Sequence, residues 1–75
     1  LADTLHASMV AINRHKEFVS MSMRPGSGPV TALLIKKMKY KEVFTAIGDD
    51  ATVLVICESE NAADSFMRSM QELAE

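Results

Sequence analysis

Apolar and polar positions change their period several times along this chain, and each change marks an element. Ala7 to Asn13 carries a compact apolar run at Met9, Val10, Ala11 and Ile12, which predicts a first strand. Arg14 and His15 form a polar tip. Lys16 to Met23 then alternates with a period of two, placing Phe18, Ser20 and Ser22 on one face and Val19, Met21 and Met23 on the other. The two runs are close enough to pair as an antiparallel hairpin. Arg24-Pro25-Gly26-Ser27-Gly28-Pro29 is the clearest breaker in the chain. It leads into a helix, where Pro29 suits the first position because its missing N–H costs nothing there. Val30, Leu33, Leu34 and Met38 recur at helical spacing and form the expected apolar stripe of that helix. A third strand is expected from Glu42 to Ile47, then a Gly48-Asp49-Asp50-Ala51 turn. The fourth, Thr52 to Cys57, is almost wholly apolar, as a central strand would be. Ser59 is a good N-cap for a last helix with Ala63, Phe66, Met67, Met70 and Leu73 on one face.

The resulting order is β-β-α-β-β-α. It predicts an α+β fold, a four-stranded, mostly antiparallel sheet with two helices. Both helices can cover one face of the sheet. Apolar residues on the other face then call for a partner chain. The 75 residues suffice for one small domain, spanning 1–75, whose thin core makes self-association a natural extra source of stability. The chain begins at Leu1 rather than Met, as expected of an excised fragment or a processed product.

Charge and composition narrow the function. The net charge is −2, but residues 1–48 hold an excess of four positive charges and residues 49–75 an excess of six negative ones. This is not a nucleic-acid footprint, and neither a helix-turn-helix nor a zinc-finger spacing is present. No apolar run reaches membrane-spanning length. The single Cys57, inside an apolar run, excludes a disulfide framework and points to a reducing compartment, the cytoplasm. Six methionines are expected as adaptable core and interface packing. No nucleophile–base set or acid–base pair is visible, so the chain is not expected to be an enzyme.

Gly48-Asp49-Asp50 carries the most chemistry. Two adjacent carboxylates at a strand end repel each other, and a cation would relieve them. The plain alternative is a hairpin turn, where Asp is favoured anyway. A metal site has thin support without further ligands. Ser27 and Gly28 precede a helix whose N–H groups could take an anion, though an ordinary cap serves as well. His6 and His15 lack metal spacing. Cys57 reads as core, and the lysines from Lys36 to Lys41 as a solvated face.

Several spans together resemble the C-terminal domain of bacterial arginine repressors. They are the hairpin closed by Arg24-Pro25-Gly26, the helix Val30–Met38, the run Tyr40-Lys41-Glu42-Val43-Phe44-Thr45, the Gly48-Asp49-Asp50 block before Thr52-Val53-Leu54-Val55-Ile56-Cys57, and the capped last helix. The resemblance covers nearly the whole chain. It implies a trimerising domain, two trimers stacked into a hexamer, and L-arginine as effector between them, with no cofactor or metal. In this family an N-terminal winged helix-turn-helix, absent from this chain, binds operator DNA. The resemblance implies that the paired aspartates, Asp49 and Asp50, hold the arginine; the residues expected at the site are these two with Gly48, Thr45, Ser27, Gly28 and Lys36. A guanidinium fits such a pair because its fixed donors match carboxylates in a charge-assisted fork.

The chain departs from the family pattern at three places. Pro29 stands where a Gln is common, Lys36 where an Asp is common, and Ala51 is inserted after Asp50. Two readings follow. Arginine binds through Asp49 and Asp50, or Lys36 or Lys37 of a facing subunit neutralises the aspartates and the domain assembles without arginine. An oligomerisation module with no small ligand, and an unrelated α+β regulatory domain, are the readings from other classes.

Overall fold

A computed structural model describes residues 1–75. Its elements are α1 (Ala2–Ser8), β1 (Met9–His15), β2 (Phe18–Met23), α2 (Gly28–Met38), β3 (Val43–Gly48), β4 (Thr52–Cys57) and α3 (Glu60–Ala74). The strands form one sheet in the order β1-β2-β4-β3, and every neighbouring pair is antiparallel. The α+β class and the four-stranded sheet are as expected. The helix count is not, because α1 precedes the first strand. No helix is long and apolar enough to cross a membrane.

Strands β2 and β4 alternate as their sequences require. Val19, Met21 and Met23 on β2, with Val53, Val55 and Cys57 on β4, are buried under the helices. The opposite face pairs Phe18 with Ile56, Ser20 with Leu54 and Ser22 with Thr52, and no element covers it. Helix α3 lays Ala63, Phe66 and Met70 onto the covered face, as expected, with Met67 and Leu73 at the margin. Its cap is the expected one: the Ser59 hydroxyl accepts from the Ala62 N–H at 3.0 Å. The Tyr40 ring meets Phe66 edge-on, with centroids 5.6 Å apart and planes at 78°. Such a pair contributes about 1 kcal/mol beyond its buried area.

Three local expectations change. The first strand starts at Met9, because Ala7 and Ser8 close helix α1. The first turn falls at Lys16-Glu17, and Arg14 and His15 lie in the strand. Lys16 takes the left-handed φ of 54° that this tight turn needs, with no Gly or Asn to announce it. The third change matters most. Val30, Leu33 and Met38 of α2 face outward and are exposed, whereas Gly28, Thr31, Ala32 and Ile35 face the sheet. That inner set also has helical spacing, i, i+3, i+4, i+7. It wins because the helix approaches the sheet too closely for large residues near its start. A Cβ on Gly48 would lie 2.6 Å from the Gly28 carbonyl oxygen and 3.0 Å from the Ala32 Cβ. Only small side chains fit between backbones that near.

Cys57 lies in the core, and its thiol is pushed up to about 11, first by burial and then by Glu42 and Glu58. The thiolate is the reactive form, so the folded chain should resist iodoacetamide at neutral pH and label only on unfolding. The raised value also fixes the sign of a pH effect. The folded state holds the proton more tightly than the unfolded one, so stability is full below the ordinary value of 9.0 and is lost as pH rises through 11. Urea midpoints measured between those two pH values should fall for the native chain and stay flatter for Cys57→Ala.

Candidate functional site

The site is built on the contact between the start of α2 and the β3–β4 hairpin. The Asp50 carbonyl accepts two backbone N–H groups, from Gly26 at 2.9 Å and from Gly28 at 3.1 Å. Gly26 reaches this position with a φ of 89°, in the left-handed region that favours glycine. Gly28 has no room for a side chain, since a Cβ there would overlap the Asp49 carbonyl. The Met23 N–H adds a third tie, to the Ala51 carbonyl at 2.7 Å. The loop before α2 therefore clamps the tip of the hairpin through backbone alone.

The two aspartates divide their tasks. Asp49 closes the turn. Its Oδ1 accepts the N–H of Ala51 at 3.2 Å and of Thr52 at 2.9 Å, and its own N–H donates to the Thr52 carbonyl at 2.9 Å. This is the side-chain-to-backbone bonding that makes Asp a turn residue. Its other carboxylate oxygen has no partner within the chain. Asp50 contributes only its carbonyl to the clamp, and its carboxylate meets no donor and no cation. Both side chains are exposed. The hairpin thus presents one free carboxylate and half of another on a fixed frame.

The other expected residues separate into two groups. Ser27, Gly28 and Gly48 lie with the aspartates. Ser27 occupies the N-cap position of α2, but its side chain makes no cap bond, and its carbonyl accepts both the N–H (3.1 Å) and the hydroxyl (2.7 Å) of buried Thr31. Gly28 already gives its N–H to Asp50, and Pro29 has none to give, so little of the helix start remains for an anion. Gly28 and Gly48 act here as close-contact positions.

Thr45 and Lys36 lie elsewhere. They line a cavity of about 210 Å³ between the end of α2 and β3, together with Ile35, Lys39, Tyr40, Val43 and Phe44. No sequence motif marks this cavity. Its only local signal is Lys39, which ends α2 with a left-handed φ of 53° where glycine is usual. Burial, and then the charge of Glu42, raise the Tyr40 hydroxyl above its ordinary value. No group of His, Cys, Asp or Glu is arranged to hold a metal ion.

Comparison with known proteins identifies this architecture. Residues 5–72 match the family described as "Arginine repressor, C-terminal domain". The chain belongs to that family. It is 38% identical over 73 residues to an arginine repressor from Lactiplantibacillus plantarum, an alignment covering 97% of this chain and 48% of the relative. It is 34% identical over 67 residues to an arginine repressor from Acetivibrio thermocellus, covering 89% of this chain and 44% of the relative. This chain thus spans about half the length of the arginine repressors it matches. The arginine repressor family is one of transcriptional regulators and not of enzymes.

Proposed function

We propose that this domain is the oligomerisation and L-arginine-sensing part of a cytoplasmic transcriptional regulator of arginine metabolism. One observation carries the reading. A member of the arginine repressor family holds the unpaired Asp50 carboxylate, with the free oxygen of Asp49 beside it, on a hairpin clamped by three backbone bonds. A ligand guanidinium meets this pair without first having to order it, which favours affinity. The cation also removes the repulsion between aspartates of facing copies, so occupancy and assembly are coupled.

Self-association is supported by the apolar surface around the same elements. Val30 and Leu33 on α2 and Phe44 and Ile47 on β3 are exposed, Phe44 at 70% and Ile47 at 61%. A chain of this size gains by covering them in a trimer and in a dimer of trimers. Operator DNA is contacted through a separate N-terminal half.

The second reading, assembly without arginine, draws on Lys36 and Lys37, which have no ion-pair partner within the chain. Titration calorimetry with L-arginine, read beside light scattering, separates the two. The proposal expects saturable heat and a rise in mass with arginine, and far weaker binding of L-citrulline, which keeps the shape and lacks the charge. No heat at millimolar arginine, with a hexamer already present, overturns it in favour of the second reading.

A further inference from the structure

Thr31 is the one polar side chain buried in this chain, and it is fully enclosed. A valine of the same shape would fill its place on α2 with no hydroxyl to desolvate, so packing alone does not account for a threonine here. The hydroxyl donates to the Ser27 carbonyl at 2.7 Å, and the Thr31 N–H donates to the same carbonyl at 3.1 Å. A helical threonine often bonds back four residues in this way. What sets this one apart is the far end of the peptide it holds. The Ser27 carbonyl and the Gly28 N–H belong to one planar trans peptide unit and point in opposite directions. Thr31 fixes the carbonyl end, and the N–H end donates to the Asp50 carbonyl at 3.1 Å. The Thr31 hydroxyl, the Ser27–Gly28 peptide and the Asp50 backbone therefore form one continuous chain of hydrogen bonds. No other side chain bonds the backbone of residues 24–28, and the Ser27 side chain makes no cap bond.

We infer, on the footing that the aspartate pair is the arginine site, that Thr31 is a positioning residue for that ligand. Its hydroxyl orients the Ser27–Gly28 peptide, and through it the backbone from which the Asp50 carboxylate projects. Thr31 is enclosed and touches no ligand itself. It acts by preorganisation. A second donor on the Ser27 carbonyl leaves the peptide fewer orientations, and hydrogen bonds in a chain polarise one another, which strengthens the link from Gly28 to Asp50. A hairpin tip held in this way loses less freedom when a cation binds, so affinity rises. Removing the hydroxyl does not orphan the buried Ser27 carbonyl, which keeps the Thr31 N–H. The full penalty of an unsatisfied buried acceptor is thereby avoided. A valine at this position accordingly keeps the fold and loses only the hold on the peptide, and that separates positioning from plain structural support.

Thr31→Val, which keeps the shape, and Thr31→Ser, which keeps the hydroxyl, are compared with the native chain. Calorimetry with L-arginine reads affinity, thermal denaturation reads stability, and NMR reads amide hydrogen exchange residue by residue. The expected affinity for arginine is about three- to tenfold weaker in Thr31→Val, the range of one hydrogen bond, and near native in Thr31→Ser. Exchange at the Gly26 and Gly28 amides quickens in Thr31→Val and not in Thr31→Ser, while the melting temperature of Thr31→Val stays close to native. Native affinity in Thr31→Val, or equal weakening in both variants, overturns the positioning role. So does faster exchange spread along the whole of α2, because the loss is then one of general stability. If the native chain gives no heat with arginine, the reading of the aspartate pair is what fails. Exchange at Gly26 and Gly28 then decides for Thr31 alone, and equal rates in the native chain and Thr31→Val overturn its hold on the hairpin.

Discussion

Gly28→Ala should cost the domain about 3 kcal/mol or more, at the upper end for inserting one methyl group. For a chain of this length that lowers the melting temperature by roughly 12–24 °C. The cause is specific. The new Cβ would overlap the backbone carbonyl of Asp49, and backbone does not rotate away as a flexible side chain can. Either α2 lifts from the sheet, exposing Ala32 and Ile35, or the hairpin loses the bond from the Gly28 N–H to the Asp50 carbonyl. Gly26→Ala is the informative comparison. A Cβ there meets nothing within 4 Å, so only the positive φ is penalised, by about 1 kcal/mol. Thermal denaturation followed by circular dichroism ranks the two. Equal losses would mean that the close approach of helix and hairpin is not what restricts position 28.

Asp50→Asn should weaken the proposed arginine binding while leaving the fold intact. The Asp50 side chain makes no bond within the chain, and the clamp uses its carbonyl, which Asn retains. Losing a charge-assisted contact costs about 1.5–3 kcal/mol, or roughly 10- to 150-fold in affinity. Asp49→Asn behaves differently. Its amide oxygen can still accept from Ala51 and Thr52, so the turn survives, but one ligand-facing charge is gone. Asp49→Ala loses those turn bonds as well, and should lower stability by about 1 kcal/mol in addition to weakening the ligand. Calorimetry with L-arginine beside urea denaturation on the three variants gives the pattern. Full arginine affinity in Asp50→Asn would exclude its carboxylate as the ligand's partner.

Elements that announce themselves locally were legible in the sequence. Strand β4 is apolar from Val53 to Cys57 and lies between the Asp49-Asp50 turn and Ser59, and α3 combines that capping serine with a clean stripe. Helix α1 was not legible. Ala2 to Ser8 is seven residues long, carries one large apolar side chain inside it, and has no side-chain cap. A helix that short does not hold in water without a surface to dock on. The outward facing of Val30, Leu33 and Met38 on α2 has a related cause. Two sets of positions on it have helical spacing, and only the tight approach at Gly28 and Gly48 selects the set with small residues. The aspartate pair was visible as a candidate site, but the division between the turn-closing Asp49 and the free Asp50 is a matter of hydrogen bonding. The cavity behind Lys36 and Thr45 joins the end of a helix to the middle of a strand, so no motif encodes it.

The placement of α1 has a consequence for how the molecule comes together. Its Leu5 is fully buried, and the His6 imidazole Nδ1 lies 2.9 Å from the Ala74 carbonyl, so the first helix rests against the end of the last. This contact closes a loop of nearly the whole chain, the largest ordering cost any contact in the molecule has to offset. The β1–β2 and β3–β4 hairpins close small loops and need no such help. Docking of α1 onto the end of α3 is therefore expected late in folding, and amide hydrogen exchange in Ala2–Ser8 and at the end of α3 should report the two ends opening together.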